Sequence, residues 1–526
     1  MEVLHAEGES DKSQVAAWYA GKNIFITGAT GFMGKVLVEK LLRSCPDIKN
    51  IYLLIRSKRG QTPEVRKEQY LKCVIFNKIL ESNPDIVKKL RLIKGDVMED
   101  KLGMSDEDRK HLIDNTDVIF HCAANVRFDQ PLRPMIQMNV MGTLKVLELA
   151  RKMLNLKVFV HVSTSYCQCN ESILEERAYP APQNPYEIIE MLKTMDDKAL
   201  AEITPKLLNG LPNTYAYSKA LTEDLISRYE LKLPTIITRP SIVTAALKEP
   251  LPGWIEGVNG PTGLMIGAAR GVIRSMHCNP DYSSTVIPVD KAINGMIVAA
   301  YHRAQLPTKN VEFCNLCINS KALYSWGECI DTGKRLFYET PLSFGLWYPD
   351  GSIKKNYYHH MFCVIFFHYL PAYFIDFLLL LMGRKRFLVR VQNKISTGLE
   401  LLQYYTTKEW EFKSEKFQQL QTKLNRIDQE IFDTDTSQVN WEAYIRTYIM
   451  GMRTYILGES EATIPQAKKF LRRLYILDRL VTFMFYGLIF WFLWTHLDGF
   501  IESSDVLIQK TLKTIYSYSH NKTIEL

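Results

Sequence analysis

The stretch that most constrains the fold of this chain is residues 27–34, Thr-Gly-Ala-Thr-Gly-Phe-Met-Gly. It follows a short apolar run at residues 24–26 and opens into the helical pattern of residues 35–42. Glycines at this spacing allow a tight strand-to-helix turn whose backbone approaches a pyrophosphate at the positive end of the helix. The stretch predicts a dinucleotide-binding turn, with a chance glycine pattern in a loop as the alternative. The predicted cofactor contacts in this turn are Thr27, Gly28, Thr30, Gly31, Phe32 and Gly34.

Apolar runs that alternate with helical segments continue the pattern along the chain. The runs lie at residues 50–56, 90–97, 117–124, 158–164 and 235–243. Strands that alternate with helices in this way form a parallel sheet with helices on both faces. The predicted fold class is α/β, a doubly wound parallel Rossmann sheet followed by a helical C-terminal domain and a C-terminal transmembrane helix.

The ends of the second, third and fourth strands predict further contacts with the dinucleotide, and the end of the second also predicts which dinucleotide binds. A carboxylate after the second strand would accept from ribose hydroxyls, whereas a cation there suits a 2′-phosphate. The strand ends at Arg56, with Lys58 close behind, so NADPH is favoured over NADH, and a solvated basic loop is the alternative. Asp96 and Val97 are expected at the adenine end, and Ala123 where the nicotinamide ribose approaches the backbone.

Tyr215 and Lys219 lie four residues apart in a helical segment, and therefore on one face of that helix. A lysine ammonium near a phenol favours the phenolate, so we expect Lys219 to lower the pKa of Tyr215, which would then act as a general acid. The spacing alone is a weak signal, because Tyr404 and Lys408 share it outside any nucleotide-binding context. The order of the motifs along the chain supports the catalytic set Thr164, Tyr215 and Lys219, since Thr164 ends the fifth strand at the expected ligand crevice.

A loop rich in glycine and proline follows the sixth strand and contains Trp254 and Asn259. Its composition is typical of a substrate loop that carries an exposed aromatic side chain. An ordinary surface loop is the open alternative.

Composition narrows the class of partner. The 526 residues carry a net charge of +8, which is mild for this length and favours an anionic ligand or a membrane surface over nucleic acid. The ten cysteines are scattered through apolar segments, as in a reduced, cytosol-facing protein. Their close pairs lack the second ligand pair of a zinc site, and no metal is expected.

Two long apolar segments predict contact with a membrane. Residues 361–382 could span a bilayer, but Pro371 and Asp376 interrupt them and cations flank both ends. An interfacial or re-entrant hairpin is therefore expected, with a buried helix pair as the alternative. Residues 480–497 carry no formal charge and predict a C-terminal anchor, and the arginines before it place the catalytic domain in the cytosol.

These features divide the chain into five predicted parts. They are a disordered N-terminus at 1–18, an NADPH-binding reductase domain with substrate loops at 19–350, a helical C-terminal domain at 351–460 with a membrane-associating segment at 361–382, an anchor at 480–497 and a tail at 498–526.

The ordered motifs resemble the extended short-chain dehydrogenase/reductase superfamily and, within it, the animal fatty acyl-CoA reductases. The glycine stretch is joined by His-Val-Ser-Thr at 161–164, Asn-Thr-Tyr-x-Tyr-x-Lys-Ala at 213–220, Arg-Pro-Ser-Ile-Val at 239–243 and Pro-Gly-Trp-Ile at 252–255. The resemblance covers roughly residues 19–452. Ser165 stands where that family often has alanine, and Thr164 is the predicted catalytic hydroxyl among residues 163–165.

The resemblance implies NADPH-dependent reduction of a long-chain fatty acyl-CoA to a fatty alcohol through a bound aldehyde, with release of CoA. In that chemistry Tyr215 protonates the developing oxyanion, Thr164 helps to hold that oxygen, and Lys219 tunes Tyr215 and binds the nicotinamide ribose. The implied location is an organelle membrane, peroxisomal or endoplasmic reticulum. A membrane-bound hydroxysteroid or sugar-nucleotide dehydrogenase, and a non-catalytic NADP-binding membrane scaffold, are the alternatives.

Overall fold

The fold is described from a computed structural model that covers residues 12–58, 60–229, 234–307 and 310–521, with the backbone alone for 497–505 and 515–521. Its strands are β1 Asn23–Thr27, β2 Asn50–Ile55, β3 Leu90–Lys94, β4 Val118–His121, β5 Val158–Val162, β6 Ile173–Leu174, β7 Thr235–Pro240, β8 Ile242–Thr244, β9 Ser275–His277, β10 Val286–Pro288, β11 Glu312–Leu316, β12 Ser352–Lys354 and β13 Glu411–Phe412.

Twenty α-helices occur in the described ranges. They are α1 Gln14–Tyr19, α2 Phe32–Ser44, α3 Pro63–Leu71, α4 Asn77–Ser82, α5 Asp106–Asn115, α6 Leu132–Met135, α7 Gly142–Ala150, α8 Pro185–Thr194, α9 Asp197–Leu208, α10 Thr214–Arg228, α11 Pro261–Ala269, α12 Val289–Gln305, α13 Trp326–Glu339, α14 Tyr357–Cys363, α15 Leu370–Leu381, α16 Leu388–Thr406, α17 Glu415–Thr422, α18 Arg426–Ile431, α19 Trp441–Gly451 and α20 Ile464–Asn521.

Seven of the strands form one parallel sheet in the order β11-β7-β5-β4-β1-β2-β3. The chain moves outward from β1 through β2 to β3 and then returns to the other side of β1 with β4, so the strand order reverses between β1 and β4. Ligands of open α/β sheets bind at such a switch point, outside the carboxyl ends of the strands. The predicted doubly wound parallel sheet is confirmed, and the glycine turn lies at its switch point.

The apolar segment near residue 361 forms one helix rather than an interrupted stretch. Helices α14 and α15 are continuous through a π-helical turn at Val364–Tyr369, and the path over Tyr357–Leu381 is 25 residues long. Asp376 caps the returning helix α16, because its carboxylate accepts from the backbone N–H groups of Phe387, Leu388 and Val389, each at 3.0 Å. Pro371 and Asp376 were therefore wrongly expected to interrupt this segment.

The hairpin of Tyr357–Leu381 and α16 leaves large apolar side chains exposed. Phe366, Tyr373, Phe374, Phe377 and Leu381 lie on its outer side without burial against the rest of the protein. Contiguous apolar surface of this kind marks an interaction site, so the alternative of a fully buried helix pair does not describe this segment.

The C-terminal anchor segment lies inside a much longer helix. Helix α20 begins at Ile464 and continues to Asn521, through both the predicted anchor at 480–497 and most of the predicted tail, of which residues 522–526 lie outside the described part. Tyr357–Leu381 and Glu461–His496 are the two segments that are long and apolar enough to cross a membrane among the residues the structure describes.

The predicted N-terminal disorder is wrong for the residues just before the sheet, while residues 1–11 lie outside the described part. Residues 14–19 form α1, in which Val15 and Tyr19 are fully buried. The helix is tied to the C-terminal region, since Asp428 accepts from the backbone N–H groups of Gln14 at 2.9 Å and Val15 at 3.2 Å. Two apolar side chains at helical spacing therefore pack where the polar composition indicated disorder.

Candidate active site

The glycine turn between β1 and α2 is built for close backbone approach. Gly28 has a φ of +74°, and a Cβ there would lie 2.6 Å from the backbone nitrogen of Ala123. A Cβ at Gly34 would lie 2.3 Å from the carbonyl oxygen of Gly28. Only glycine fits these positions, which bring the β4 end and the N-terminus of α2 to one crevice. The residues present fit a dinucleotide whose pyrophosphate sits on this turn.

Thr27 supports the turn from behind. Its side chain is fully buried, and its hydroxyl bonds to Nδ1 of His121 at 2.7 Å and accepts from the backbone N–H of Ala123 at 3.3 Å. The other ring nitrogen of His121 lies 2.9 Å from the hydroxyl of Thr143. Burial lowers the pKa of His121 to about 3, so the ring is neutral and serves as a fixed link between β1, β4 and α7.

The adenine end of the crevice carries an arginine that the sequence reasoning missed. Arg56 is paired with Asp96 at 3.1 Å, and Arg66 on α3 donates to the backbone oxygen of Arg56 and, at 3.2 Å, to the hydroxyl of Thr30. Two guanidinium groups thus meet beside the glycine turn. Helix α3 brings Arg66 back to the end of β2, and its position ten residues beyond the strand gave no local motif.

Val97, the second residue predicted at the adenine end, lies deeper in the protein than Asp96. Val97 is buried, and its side chain lies 3.3 Å from where a Cβ on Gly142 would stand. Asp96 accepts from the backbone N–H of Met98 at 3.0 Å, which fixes the loop after β3. Asp96 therefore shapes the loop and is paired with Arg56.

The predicted catalytic residues come together at the carboxyl end of β5. Tyr215 and Lys219 lie on α10, and Thr164 follows β5. The hydroxyl of Thr164 lies near enough to the phenol of Tyr215 to act on its pKa, and Nζ of Lys219 donates to the backbone oxygen of Val162 at 2.7 Å. One hydroxyl pair and one buried ammonium thus face the crevice that the glycine turn borders.

The expectation that Lys219 lowers the pKa of Tyr215 is wrong. Burial raises the pKa of the Tyr215 phenol well above its ordinary value, and the hydrogen bond from Thr164 opposes the rise only in part. Burial also lowers the pKa of Lys219, to about 8. Tyr215 is therefore a neutral hydrogen-bond donor, which is the protonation state that a general acid needs at the start of a reduction.

The neighbouring hydroxyls differ from Thr164 in their surroundings. Ser165 donates to the backbone oxygen of Arg239 at 2.7 Å and lies 3.1 Å from Sγ of Cys317, behind the sheet end. Ser163 is buried, and its Oγ has no hydrogen-bond partner among the described residues. Of the three, Thr164 is the one whose hydroxyl acts to lower the pKa of Tyr215.

An aromatic wall supplied partly by the C-terminal region stands beside Tyr215. Phe128 lies between Tyr215 and Tyr405, with ring centroids 5.5 and 5.4 Å away. Tyr166 packs edge-on against Tyr405 at 5.2 Å and against Trp410 at 5.4 Å. Sequence reasoning found no chemical role for this C-terminal region, because only the fold brings residues 405–410 against α10.

The second Tyr-x-x-x-Lys pair has a structural role. Nζ of Lys408 lies 4.0 Å above the ring of Tyr404, whose hydroxyl donates to the backbone oxygen of Cys169 at 3.1 Å. Lys408 and Tyr404 thus form a cation–π contact at the edge of the aromatic wall, apart from the crevice.

The loop that contains Trp254 differs from the expectation of an exposed aromatic. Trp254 is 2% exposed and stacks on Phe32 of the glycine turn, with ring centroids 5.3 Å apart. A Cβ at Gly253 would lie 2.3 Å from the backbone oxygen of Thr447, so α19 clamps the loop from the other side. Trp254 fixes the glycine turn against the C-terminal region, and Asn259 remains exposed.

Comparison with known proteins identifies the family. Two family models, both described as male sterility protein, match residues 26–296, as an NAD-binding domain, and residues 367–459. Fatty acyl-CoA reductase 1 of Mus musculus is 38% identical over 88% of this chain and 89% of its own length. Fatty acyl-CoA reductase 2 of Bos taurus is 38% identical over 88% of this chain and 90% of its own. The chain belongs to the fatty acyl-CoA reductase family.

Membership makes this protein an oxidoreductase with a nicotinamide-cofactor domain, as the sequence predicted. Solved structures support the fold. The reductase domain of a nonribosomal peptide synthetase from Mycobacterium tuberculosis matches with a TM-score of 0.55 and 17% identity, over 84% of this chain and 96% of that one. The terminal reductase domain of the myxalamid pathway matches with a TM-score of 0.53 and 20% identity, over 83% and 92%.

Proposed function

We propose that this member of the family reduces long-chain fatty acyl-CoA to fatty alcohol with NADPH and releases CoA. The observation that carries the proposal is the placement of Thr164, Tyr215 and Lys219 together at the carboxyl end of β5, beside a glycine turn that fits a dinucleotide. The overall reaction balances when one acyl thioester, two NADPH and two protons give one alcohol, one CoA thiol and two NADP⁺.

The residues of this chain act on the carbonyl oxygen. When bound, NADPH supplies hydride to the carbonyl carbon, first of the thioester and, after exchange of the cofactor, of the aldehyde. Tyr215 donates its proton to the developing oxyanion, and the Thr164 hydroxyl donates a second hydrogen bond to that oxygen. The hydroxyl of the resulting hemithioacetal returns its proton to Tyr215 as the C–S bond breaks, the departing CoA thiolate takes up a proton from solvent, and the aldehyde stays in place for the second reduction.

Lys219 sets the charge of the crevice. Its ammonium is buried and bonded to the end of β5, so it adds positive charge beside the place where the oxyanion forms. It also provides donors for the hydroxyls of a nicotinamide ribose. No cysteine nucleophile is needed, and burial raises the pKa of the nearby Cys122 thiol to about 12, which disfavours a thiolate there.

The preference for NADPH rests on the two guanidinium groups at the end of β2. Arg66 and Arg56 lie beside Thr30 of the glycine turn, where a 2′-phosphate on the adenine ribose would be received. Asp96 would exchange its contact with Arg56 for one with the ribose. An NADH-specific site would instead place a free carboxylate at this position.

Attachment to an organelle membrane through Glu461–His496 suits a substrate and a product that are both amphipathic lipids. In this arrangement Arg472, Arg473 and Arg479, which precede the uncharged residues 480–497 of that helix, keep the catalytic domain on the cytosolic side of a peroxisomal or endoplasmic reticulum membrane.

The test is product analysis on the full-length protein in detergent or vesicles. Palmitoyl-CoA and stearoyl-CoA are supplied with NADPH, and the extracted lipids are separated. Fatty alcohol supports the proposal. A product that stops at the aldehyde contradicts the second reduction, and the absence of both products at every chain length tested rejects the proposed function.

A further inference from the structure

A second cavity lies outside the catalytic set. It has a volume of about 150 Å³, opens to the surface and is lined by α11, β9, α13 and β12. Its walls are almost entirely apolar, with Leu264, Met265, Ile330, Phe337 and Ile353 among the lining side chains. None of Thr164, Tyr215 or Lys219 lines it.

One side of this cavity rests on the apolar hairpin. The hydroxyl of Ser275 lies 2.8 Å from Nδ1 of His360, and Nε2 of His368 accepts from the backbone N–H groups of Arg274 at 2.9 Å and Ser275 at 3.2 Å. Arg274 and Ser275 both line the cavity. The apolar hairpin helix Tyr357–Leu381 therefore supports the cavity wall directly.

Hydrogen bonds link another wall of this cavity to Tyr166 of the aromatic wall. Trp326 lines the cavity, and its backbone N–H donates to the oxygen of Tyr282 at 2.9 Å. Thr285 lies three residues after Tyr282, and its hydroxyl is hydrogen-bonded to the phenol of Tyr166. Tyr166 in turn lies two residues after Thr164. A short paired segment thus separates the cavity from the aromatic wall beside Tyr215.

We propose that this cavity receives the methyl end of the acyl chain, which rests on the acyl-CoA reduction proposed above. An apolar cavity of ~150 Å³ is large enough for a guest of about six carbons. The methyl end of an acyl chain is an apolar guest of this size. Its carbonyl would react at Tyr215 while its far end lies in the cavity beside the apolar hairpin. The cavity then measures chain length, because a chain too short to reach it gains none of its apolar contacts.

Gly333 offers a direct way to fill the cavity. It lies within α13 and lines the cavity, and a Cβ placed on it would meet no atom within 4 Å. Alanine and leucine are better helix formers than glycine, so substitution there adds carbons without a helix penalty. Gly398 on α16 is also open to a Cβ but lies outside the cavity, and provides a matched control.

The experiment measures kcat/KM of the full-length protein with NADPH and acyl-CoA substrates of 10 to 20 carbons. Each methylene that loses its apolar surroundings lowers kcat/KM about fourfold. Gly333→Leu is expected to lower kcat/KM for stearoyl-CoA at least tenfold and for decanoyl-CoA less than twofold. Gly333→Ala is expected to fall between wild type and Gly333→Leu, and Gly398→Leu to keep the wild-type chain-length profile.

Three outcomes overturn the cavity assignment while leaving the proposed function in place. They are an equal loss at all chain lengths, an unchanged profile, and a co-purified phospholipid in native mass spectra that stearoyl-CoA does not displace. If Gly333→Leu unfolds below the wild-type temperature, Ala268→Leu on the facing helix α11 fills the same cavity and must shift the profile in the same direction. A wild-type protein that reduces no acyl-CoA rejects the proposed function itself.

Discussion

The side-chain amide of Asn213 donates a hydrogen bond of 2.9 Å to the hydroxyl of Tyr405. Asn213 is the N-cap of α10 and accepts from the backbone N–H of Ala216 at 2.9 Å, while Tyr405 ends the helix that returns from the apolar hairpin. The helix that carries Tyr215 and Lys219 is therefore held at its start by the C-terminal region. We infer that this region positions the catalytic tyrosine.

Tyr405→Phe is predicted to lower kcat about tenfold while KM for acyl-CoA changes less than twofold. Loss of the hydroxyl leaves the buried amide of Asn213 without its partner, which costs about 1–3 kcal/mol and loosens the cap. Steady-state kinetics measures both kcat and KM. Tyr404→Phe is the matched control, since its hydroxyl bonds to Cys169 at the edge of the wall, and kcat there should stay within twofold. Equal effects of the two substitutions would contradict a positioning role for Tyr405.

Tyr215→Phe is predicted to lower kcat by about 10²-fold or more, because the proton donor to the oxyanion is removed. The glycine turn and Lys219 stay in place, so the Kd of NADPH should change less than twofold. Stopped assays for alcohol and fluorescence titration with NADPH measure the two quantities. Turnover within threefold of wild type would reject Tyr215 as the acid.

Arg66→Ala is predicted to raise the Kd of NADPH about tenfold and to leave the Kd of NADH nearly unchanged. A charge-assisted hydrogen bond to the 2′-phosphate is lost, and NADH has no such group. Titration of both cofactors with wild type and variant gives the ratio. Lys72→Ala, an exposed cation at the end of the same helix, should change neither value. An equal loss of affinity for NADPH and NADH would contradict this prediction, because it would mean that Arg66 only stabilises the glycine turn.

The pKa of Lys219 predicts an alkaline limb in the pH profile. Burial lowers this pKa to about 8, so the free enzyme loses the ammonium charge above that pH, and kcat/KM should fall there. Tyr215 stays protonated through the same range, because burial raises its pKa. The unfolded chain keeps the lysine proton up to about pH 10.4, so the contribution of Lys219 to the free energy of unfolding should rise between these values. A kcat/KM that stays level to pH 10 would contradict this assignment.

The elements that the sequence predicted well are those with a local code. The glycine turn was predicted because the spacing of Gly28 and Gly34 reflects a turn that only glycine can form, and the shared helix face of Tyr215 and Lys219 because four residues make about one helical turn. Arg66 could not be predicted in this way, since only the path of α3 returns it to Thr30.

The misjudged residues were those whose surroundings are set by tertiary packing. Trp254 seemed exposed in a loop of glycine and proline, yet Phe32 and α19 enclose it. Asp376 seemed to break an apolar helix, yet it satisfies the free N–H groups of the next one. The pKa of Tyr215 depends on its burial, which spacing to Lys219 does not report.

The most direct test of the central claim is the ratio of NADPH oxidised to CoA thiol released, measured with stearoyl-CoA and the full-length protein. The account predicts two NADPH for each thiol, with stearyl alcohol as the product and no accumulation of aldehyde. A ratio of one would limit the reaction to the aldehyde, and no oxidation of NADPH with any acyl-CoA would contradict the account.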